Sequence, residues 1–140
     1  MAYQLEFADG VGDDVQDLDD REFALVEAIL DLVEGNEEVQ DRVARYRFRC
    51  LDPRFDTCPL TEWTQRGYEV GRIKMWHDRP DGDLAGVRII YAVDHRTSRI
   101  VVLGYMPHND QRDENYRTDT PYGQRLKRDY DNCGVPRLRR

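Results

Sequence analysis

The chain has 140 residues, 39% of them hydrophobic, and a formal net charge of −7, which favours one domain with its own core. It lacks a run of about 18 apolar residues, which excludes a membrane-spanning helix. Its first residues do not resemble a secretory signal, so we expect a cytoplasmic protein. The three cysteines are Cys50, Cys58 and Cys133. Their irregular spacing predicts neither a disulfide framework nor a zinc site. We expect no metal or cofactor, although a metal site formed with His77 is conceivable.

The charge is distributed unevenly along the chain. Residues 1–40 contain thirteen acidic residues and one Arg, a balance of −12, whereas residues 41–140 have a balance of +5. Such asymmetry indicates contact with nucleic acid through the basic part. Solubility is an equally good explanation of the acidic part.

The N-terminal part predicts one strand and one long helix. Residues Tyr3–Phe7 alternate between apolar and polar side chains, as in a half-buried strand. Residues Asp13–Leu18 are expected to form one helical turn or a little more. Apolar residues then recur at helical spacing over Arg21–Glu34, preceded by an N-cap at Asp19 or Asp20 and followed by Gly35. This helix should cover one face of a sheet.

The next segment is predicted to be extended. Between Val39 and Cys50, apolar and basic residues alternate, so three arginines would share one face of a strand: Arg45, Arg47 and Arg49. Such a row could follow a phosphate backbone or protect a sheet edge from self-pairing. Residues Leu51–Arg66 are expected to form a loop that Phe55 and Trp63 anchor to the body.

Three further alternating runs predict an antiparallel meander. They are Gly71–Trp76, Val87–Asp94 and Arg99–Tyr105, and Pro107 should end the last of them. In the second run Arg88 faces away from Val87, Ile89 and Tyr91, and in the first Arg72, Lys74 and Trp76 share a face. A sheet face with these cations would suit a phosphodiester, although each could simply be a solvated strand residue.

The C-terminal part predicts a short helix and a tail. Residues Tyr122–Tyr130 could form the helix, and residues 131–140 are expected to be a mobile basic tail. Three residues between the third strand of the meander and this helix carry side chains suited to acid–base or phosphate chemistry: His108, Arg112 and Tyr116.

Several of these segments, in this order, resemble the RelE/ParE superfamily of toxins from toxin–antitoxin pairs. The residues Met1–Phe7 resemble the first strand of that family, and Arg21–Glu34 is similar to its long helix. The run Arg72–Met75 resembles a basic strand of the RelE branch. The run Gly86–Tyr91 looks like the family's Gly-aromatic-Arg-aliphatic-aliphatic-Tyr strand. The segment His108–Tyr116 lies where many members carry basic residues ending in Tyr.

The resemblance implies a RelE-like α+β fold, with a mostly meander antiparallel sheet and N-terminal helices packed on one side. A single domain would span residues 1–140, with an insertion at 36–70. The resemblance also implies a cognate antitoxin in a hetero-oligomer, and the ribosome and mRNA as partners. Membrane binding is not expected. Asn109 and Asp110 depart from the pattern, since they stand near positions that are basic in RelE.

The activity implied is metal-free cleavage of mRNA by attack of the 2′-hydroxyl group. Arg88 would clamp the phosphate, assisted by Lys74 and Arg72. A histidine can serve as acid or base, and His108 is the candidate. Arg112 would supply a second cation, and Tyr116 would stack on a base or share the proton transfer. The arginines at 45, 47 and 49 would bind RNA.

Two alternatives do not require catalysis. The chain could be a binding protein on the same fold, which inhibits gyrase or binds only its antitoxin. The departures at Asn109 and Asp110 would fit such a role. It could also be an accessory protein that contacts RNA or the ribosome through the arginine-rich segment at residues 45–49.

Overall fold

A computed structural model of the chain describes residues 2–46, 55–77, 84–107 and 117–138. The elements in these ranges are β1 (Gln4–Phe7), α1 (Val11–Val15), α2 (Asp20–Gly35), α3 (Glu37–Ala44), β2 (Phe55–Pro59), α4 (Thr61–Gln65), β3 (Val70–Trp76), β4 (Leu84–Asp94), β5 (Arg99–Pro107) and α5 (Pro121–Asn132). Within the described ranges, none of the helices has the length and apolar character needed to cross a membrane.

The strands form one five-stranded sheet in the order β1-β5-β4-β3-β2. Strands β3, β4 and β5 pair antiparallel, which confirms the predicted meander. The α+β class is also confirmed, but the sheet is mixed, because β1 pairs with β5 in parallel. The alternation in a four-residue strand does not encode the direction of pairing, so the sequence could not show this.

Helix α2 agrees with its prediction because local signals specify it strongly. Asp19 accepts a hydrogen bond from the backbone N–H of Glu22, and the Glu22 side chain accepts one from the N–H of Asp19. This reciprocal pair is a capping box, which satisfies backbone donors that the first turn leaves free. The apolar stripe is buried against the sheet: Leu25, Val26, Ile29, Leu30 and Val33.

The prediction of an extended segment from Val39 is wrong over residues 39–44, which belong to helix α3. Asn36 caps this helix by accepting from the N–H of Val39. Val39 and Val43, one helical turn apart, are both buried. Arg45 follows at the C-cap and forms an ion pair of 3.3 Å with Asp41. Arg47 and Arg49 lie outside the described residues.

The expected loop over Leu51–Arg66 contains strand β2 and helix α4 in its described part, so that prediction is wrong for residues 55–65. Strand β2 pairs with β3, with Phe55 opposite Met75 and Pro59 opposite Gly71. Its five residues are too few to give a clear alternation. Phe55 and Trp63 are fully buried, in agreement with their expected role as anchors.

Helices cover parts of both sheet faces. On the first face, the Tyr91 hydroxyl donates to the carbonyl of Val43 in α3, at 2.8 Å. On the second face, Gly104 lies against Tyr122 and Arg125 of α5. The N-terminal helices are therefore divided, because α2 and α3 cover the first face, whereas α1 joins α5 on the second through Asp14.

The segment after α5, expected to be a mobile tail, is held against the body in its described part. The N–H of Leu138 donates to the carbonyl of Gly67 at 2.7 Å. The Tyr130 hydroxyl donates to the carbonyl of Pro136. The Arg137 guanidinium lies 4.2 Å from the centre of the Tyr68 ring. The first and third contacts attach the segment to the connection between α4 and β3, and the second attaches it to α5.

Candidate nucleic-acid interface

Part of the second sheet face carries polar side chains that helices do not fully cover. Strands β2 and β3 contribute five half-buried residues to it, which we call the open strip: Asp56, Cys58, Arg72, Lys74 and Trp76. Asp56 pairs with Lys74 and Cys58 with Arg72 across the two strands. Residues that pair directly in a ladder project from the same face. The sheet therefore brings the two predicted cations Arg72 and Lys74 together, as expected from the sequence.

Arg72 is partly neutralised by a neighbour in the strip. Its Nη1 donates to Asp56 Oδ1 at 3.1 Å, and the two side chains are 20% and 27% exposed. The pair holds the guanidinium in place at the sheet surface. The guanidinium has five N–H donors in total, and an arriving phosphate would compete with Asp56 for them.

Lys74 lies beside an aromatic ring. Its Nζ is 5.2 Å from the centre of the Trp76 ring, a distance at which the cation is attracted to the face of the indole. Both side chains are half-buried. A half-exposed indole can stack on a nucleotide base, and an ammonium beside it can contact the neighbouring phosphate.

Arg88 faces the same side as Lys74, its direct partner in the β3–β4 ladder. Arg88 is not the solvated strand residue that the sequence analysis considered, because only 2% of the residue is accessible. Its Nη1 donates to the carbonyl of Ala85 at 2.8 Å and to that of Val87 at 3.2 Å. The alternation predicted the correct face, but it did not show that the side chain bonds to its own strand.

A β-bulge lies next to these residues. Lys74 pairs with Arg88, whereas Trp76, two residues further along β3, pairs with Leu84, four residues back along β4. Two extra residues of β4 are therefore accommodated over Ala85–Val87. Bulges of this kind bend a strand and redirect its side chains.

The remaining predicted site residues are not part of the strip as described. Arg45 lies at the end of α3, on the side of the sheet that α2 and α3 cover. Nothing therefore joins it to Arg72 and Lys74. His108, Arg112 and Tyr116 lie outside the described residues, as do Arg47 and Arg49. In the described part of the chain, no three His, Cys, Asp or Glu side chains are arranged to hold a metal ion.

The sequence analysis missed a buried ionic cluster on the same sheet face. Asp14 of α1 accepts from Arg125 Nη1 at 2.6 Å, from the Tyr122 hydroxyl at 2.9 Å and from the backbone N–H of Tyr105 at 2.9 Å. Arg125 also donates to the carbonyl of Leu103 at 2.8 Å. Burial, followed by the charges of Asp14 and Glu27, raises the pKa of Tyr105 to about 12.

This cluster has a structural explanation. The pairing of β4 with β5 shifts register between Ile90 and Tyr91, so Leu103 has no direct partner on β4. A bulge leaves backbone groups without ladder bonds, and Arg125 and Asp14 bind two such groups, the carbonyl of Leu103 and the N–H of Tyr105. Asp14 and Arg125 are 111 residues apart, and no local signal links them.

A second ionic group stabilises the turn between β4 and β5. The Asp94 carboxylate accepts from the backbone N–H groups of Arg96 and Thr97, and from Arg99 Nη2 at 2.8 Å. Burial alone would raise the pKa of Asp94, but hydrogen bonds from Arg99 and Thr97 outweigh it, so the pKa is lowered. Arg99 also contacts Glu6, which links the turn to β1.

Comparisons with known proteins give one distant likeness. No model of a known protein family matches the sequence, and no curated protein matches it either. Among solved structures, the chain is similar to one in the archaeal RelE–RelB complex from Pyrococcus horikoshii OT3. The TM-score is 0.46 and the identity 16%, covering 79% of this chain and 99% of that chain. A likeness at this level assigns neither a family nor a function.

Proposed function

We propose that this protein is a toxin of a toxin–antitoxin pair that binds RNA through the open strip and cleaves mRNA on the ribosome. The observation that carries the proposal is the grouping of Lys74, Trp76 and Arg72 on one half-exposed part of the sheet. The RelE/ParE-like order of sequence motifs supports the choice of a toxin. A cognate antitoxin would bind the protein in the cytoplasm and block this surface.

The strip would supply binding and charge stabilisation. Lys74 would contact a phosphate next to a base stacked on Trp76, and Arg72 would bind the neighbouring phosphate once Asp56 yields part of its guanidinium. Proton transfer to or from the 2′-hydroxyl and the leaving 5′-oxygen would fall to His108. Arg112 and Tyr116 are proposed to assist it. No metal is required in this scheme.

A non-catalytic binding protein is the second candidate, and one observation favours it. The guanidinium of Arg88, the cation that the family resemblance assigns to the scissile phosphate, donates to two backbone carbonyls in a buried position. A protein that only binds a partner would not need this arginine at its surface. Such a protein could still use the strip to hold RNA, or bind gyrase or its antitoxin alone.

The test separates cleavage from binding. The protein is expressed to measure growth inhibition, then purified and incubated with mRNA in the presence and absence of ribosomes. We expect growth inhibition and ribosome-dependent cleavage, with a loss of about a hundredfold in His108→Ala because general acid–base groups contribute at least that much. His95→Ala is the matched control, since His95 lies in the β4–β5 turn.

The outcome decides between the candidates. Cleavage by the wild type that is lost only in His108→Ala supports the nuclease. Binding of RNA or of a protein partner without cleavage, under all conditions, would contradict the nuclease and leave the binding protein.

A further inference from the structure

We propose that Arg88 is a positioning residue, which holds the β4 bulge and thereby sets the surroundings of Trp76, the aromatic neighbour of Lys74. The inference rests on the proposed function, in which Lys74 and Trp76 bind RNA. It assigns Arg88 a role inside the protein in place of a direct contact with the phosphate.

The bulge contains two backbone carbonyl groups that Arg88 contacts. Residues Ala85–Val87 have no residue-by-residue partner on β3, because the ladder resumes at Leu84. A buried carbonyl without a hydrogen bond costs free energy, typically about 1–3 kcal/mol. Arg88 Nη1 donates to the carbonyls of Ala85 and Val87. A charged donor makes such bonds stronger than a neutral donor does.

The bulge changes the β4 residue that lies opposite Trp76. In an uninterrupted antiparallel ladder, the pairing of Lys74 with Arg88 would place Trp76 opposite Gly86. The bulge places it opposite Leu84 instead. Leu84 is 40% exposed, so Trp76 lies where the paired strands reach the surface. Lys74 and Trp76 share a face through their spacing on β3, whereas the strand residue opposite the indole, and with it the surroundings of the indole, depends on the bulge that Arg88 contacts.

The positioning role of Arg88 conflicts with direct phosphate binding by the same side chain. Only 2% of Arg88 is accessible, so contact with RNA would require the groups that cover its side chain to move. The two roles make different predictions. A positioning residue changes the surroundings of Trp76 in the free protein, whereas a phosphate ligand changes RNA affinity and leaves free Trp76 as it was.

The experiment uses the full chain labelled with 5-fluorotryptophan and observed by fluorine NMR. The chain has two tryptophans, and Trp76→Phe assigns the signals. Trp63 is fully buried and reports on the fold as a whole. The readouts are the Trp76 resonance, its shift on transfer from water to D2O, and the affinity for single-stranded RNA. The variants are Arg88→Met, Arg88→Lys and, as a control cation on the same face, Arg72→Met.

We expect Arg88→Met to move the Trp76 resonance and change its solvent shift, with the Trp63 signal retained and RNA affinity lowered about tenfold, the value of one base–aromatic stack. Arg88→Lys should keep the wild-type Trp76 signal and lose less than about threefold in affinity, because an ammonium can donate to the same carbonyls. Arg72→Met should weaken RNA binding without moving the Trp76 signal.

An unchanged Trp76 resonance in folded Arg88→Met would overturn the proposal. If Arg88→Met does not fold, Arg88→Lys decides: a wild-type Trp76 signal with a tenfold or larger loss of affinity would contradict positioning and favour a bidentate phosphate contact. If the wild type does not bind RNA, the proposed function fails, but the fluorine signals of free Arg88→Met and Arg88→Lys still test the role of Arg88.

Discussion

The second sheet face has two halves that use charge differently. Under α5, the strands β4 and β5 form a covered half, where Leu126 and Tyr130 are fully buried and Asp14 and Arg125 bind backbone groups of the β5 bulge. On β2 and β3, the open strip carries cations at the surface. Buried charges in the first half thus bind backbone groups of the fold, whereas the cations of the second are only partly covered and are the ones we propose to contact RNA. Arg88 lies at the boundary and behaves as a residue of the covered half.

The largest expected effect on stability comes from Asp14→Ala. The change removes the closer of the two carboxylates beside Arg125, leaving Asp129 at 3.5 Å, and it removes the acceptor for the N–H of Tyr105. Breaking a buried pair in this way costs about 3–5 kcal/mol in the free energy of unfolding. Urea denaturation measures the loss, with Asp13→Ala, an exposed neighbour, as the control. Equal effects of the two variants would mean that the cluster does not stabilise the covered half.

A smaller loss is expected from Gly104→Ala. A Cβ atom at this position would lie 2.6 Å from Arg125 Nη2 and 2.7 Å from Asp14 Oδ2, and also against the Tyr122 hydroxyl. Overpacking of this kind typically costs about 1–3 kcal/mol. Gly12→Ala is the matched control, because no atom lies within 4 Å of a Cβ placed there. Thermal melts that place Gly104→Ala at or above Gly12→Ala would show that the covered half is loosely packed.

Low pH should destabilise the β4–β5 turn of the covered half. Because the pKa of Asp94 is lowered in the folded state from its ordinary value of 3.8, its carboxylate contributes stability above that value. The contribution is lost as the pH falls through the lower, folded pKa. Asp94→Asn should therefore be less stable than the wild type at pH 7, and the difference should shrink as the pH falls below about 4. A difference that is constant with pH would contradict this role of Asp94.

Sequence patterns predicted the elements whose signals are local. Helix α2 combines a capping box with a regular apolar stripe, and β4 alternates over Val87–Asp94, so both were identified, although β4 begins at Leu84. Around Ala44 and Tyr46 the same alternation misled, because the Asn36 cap and the pair Val39 and Val43 specify a helix. Strand β2 is short and ends at Pro59, which hides its period.

The candidate site was predictable only as far as side-chain direction. Alternation placed Arg72, Lys74 and Arg88 on one face, and the ladder pairings agree. Burial of Arg88 depends on a bulge, which the alternation of β4 does not reveal. The bonds of Asp14 with Arg125 join the two ends of the chain, so they depend on the complete fold.

The salt dependence of RNA binding by two lysine variants tests the central claim most directly. Lys74 lies in the open strip and Lys127 on α5, and both are half-buried. For single strands, the logarithm of the affinity falls against the logarithm of salt concentration with a slope of about −0.7 for each phosphate contact. We predict that Lys74→Ala weakens binding and makes the slope shallower by about 0.7, whereas Lys127→Ala leaves both unchanged. Equal slopes in the wild type and both variants would contradict the account.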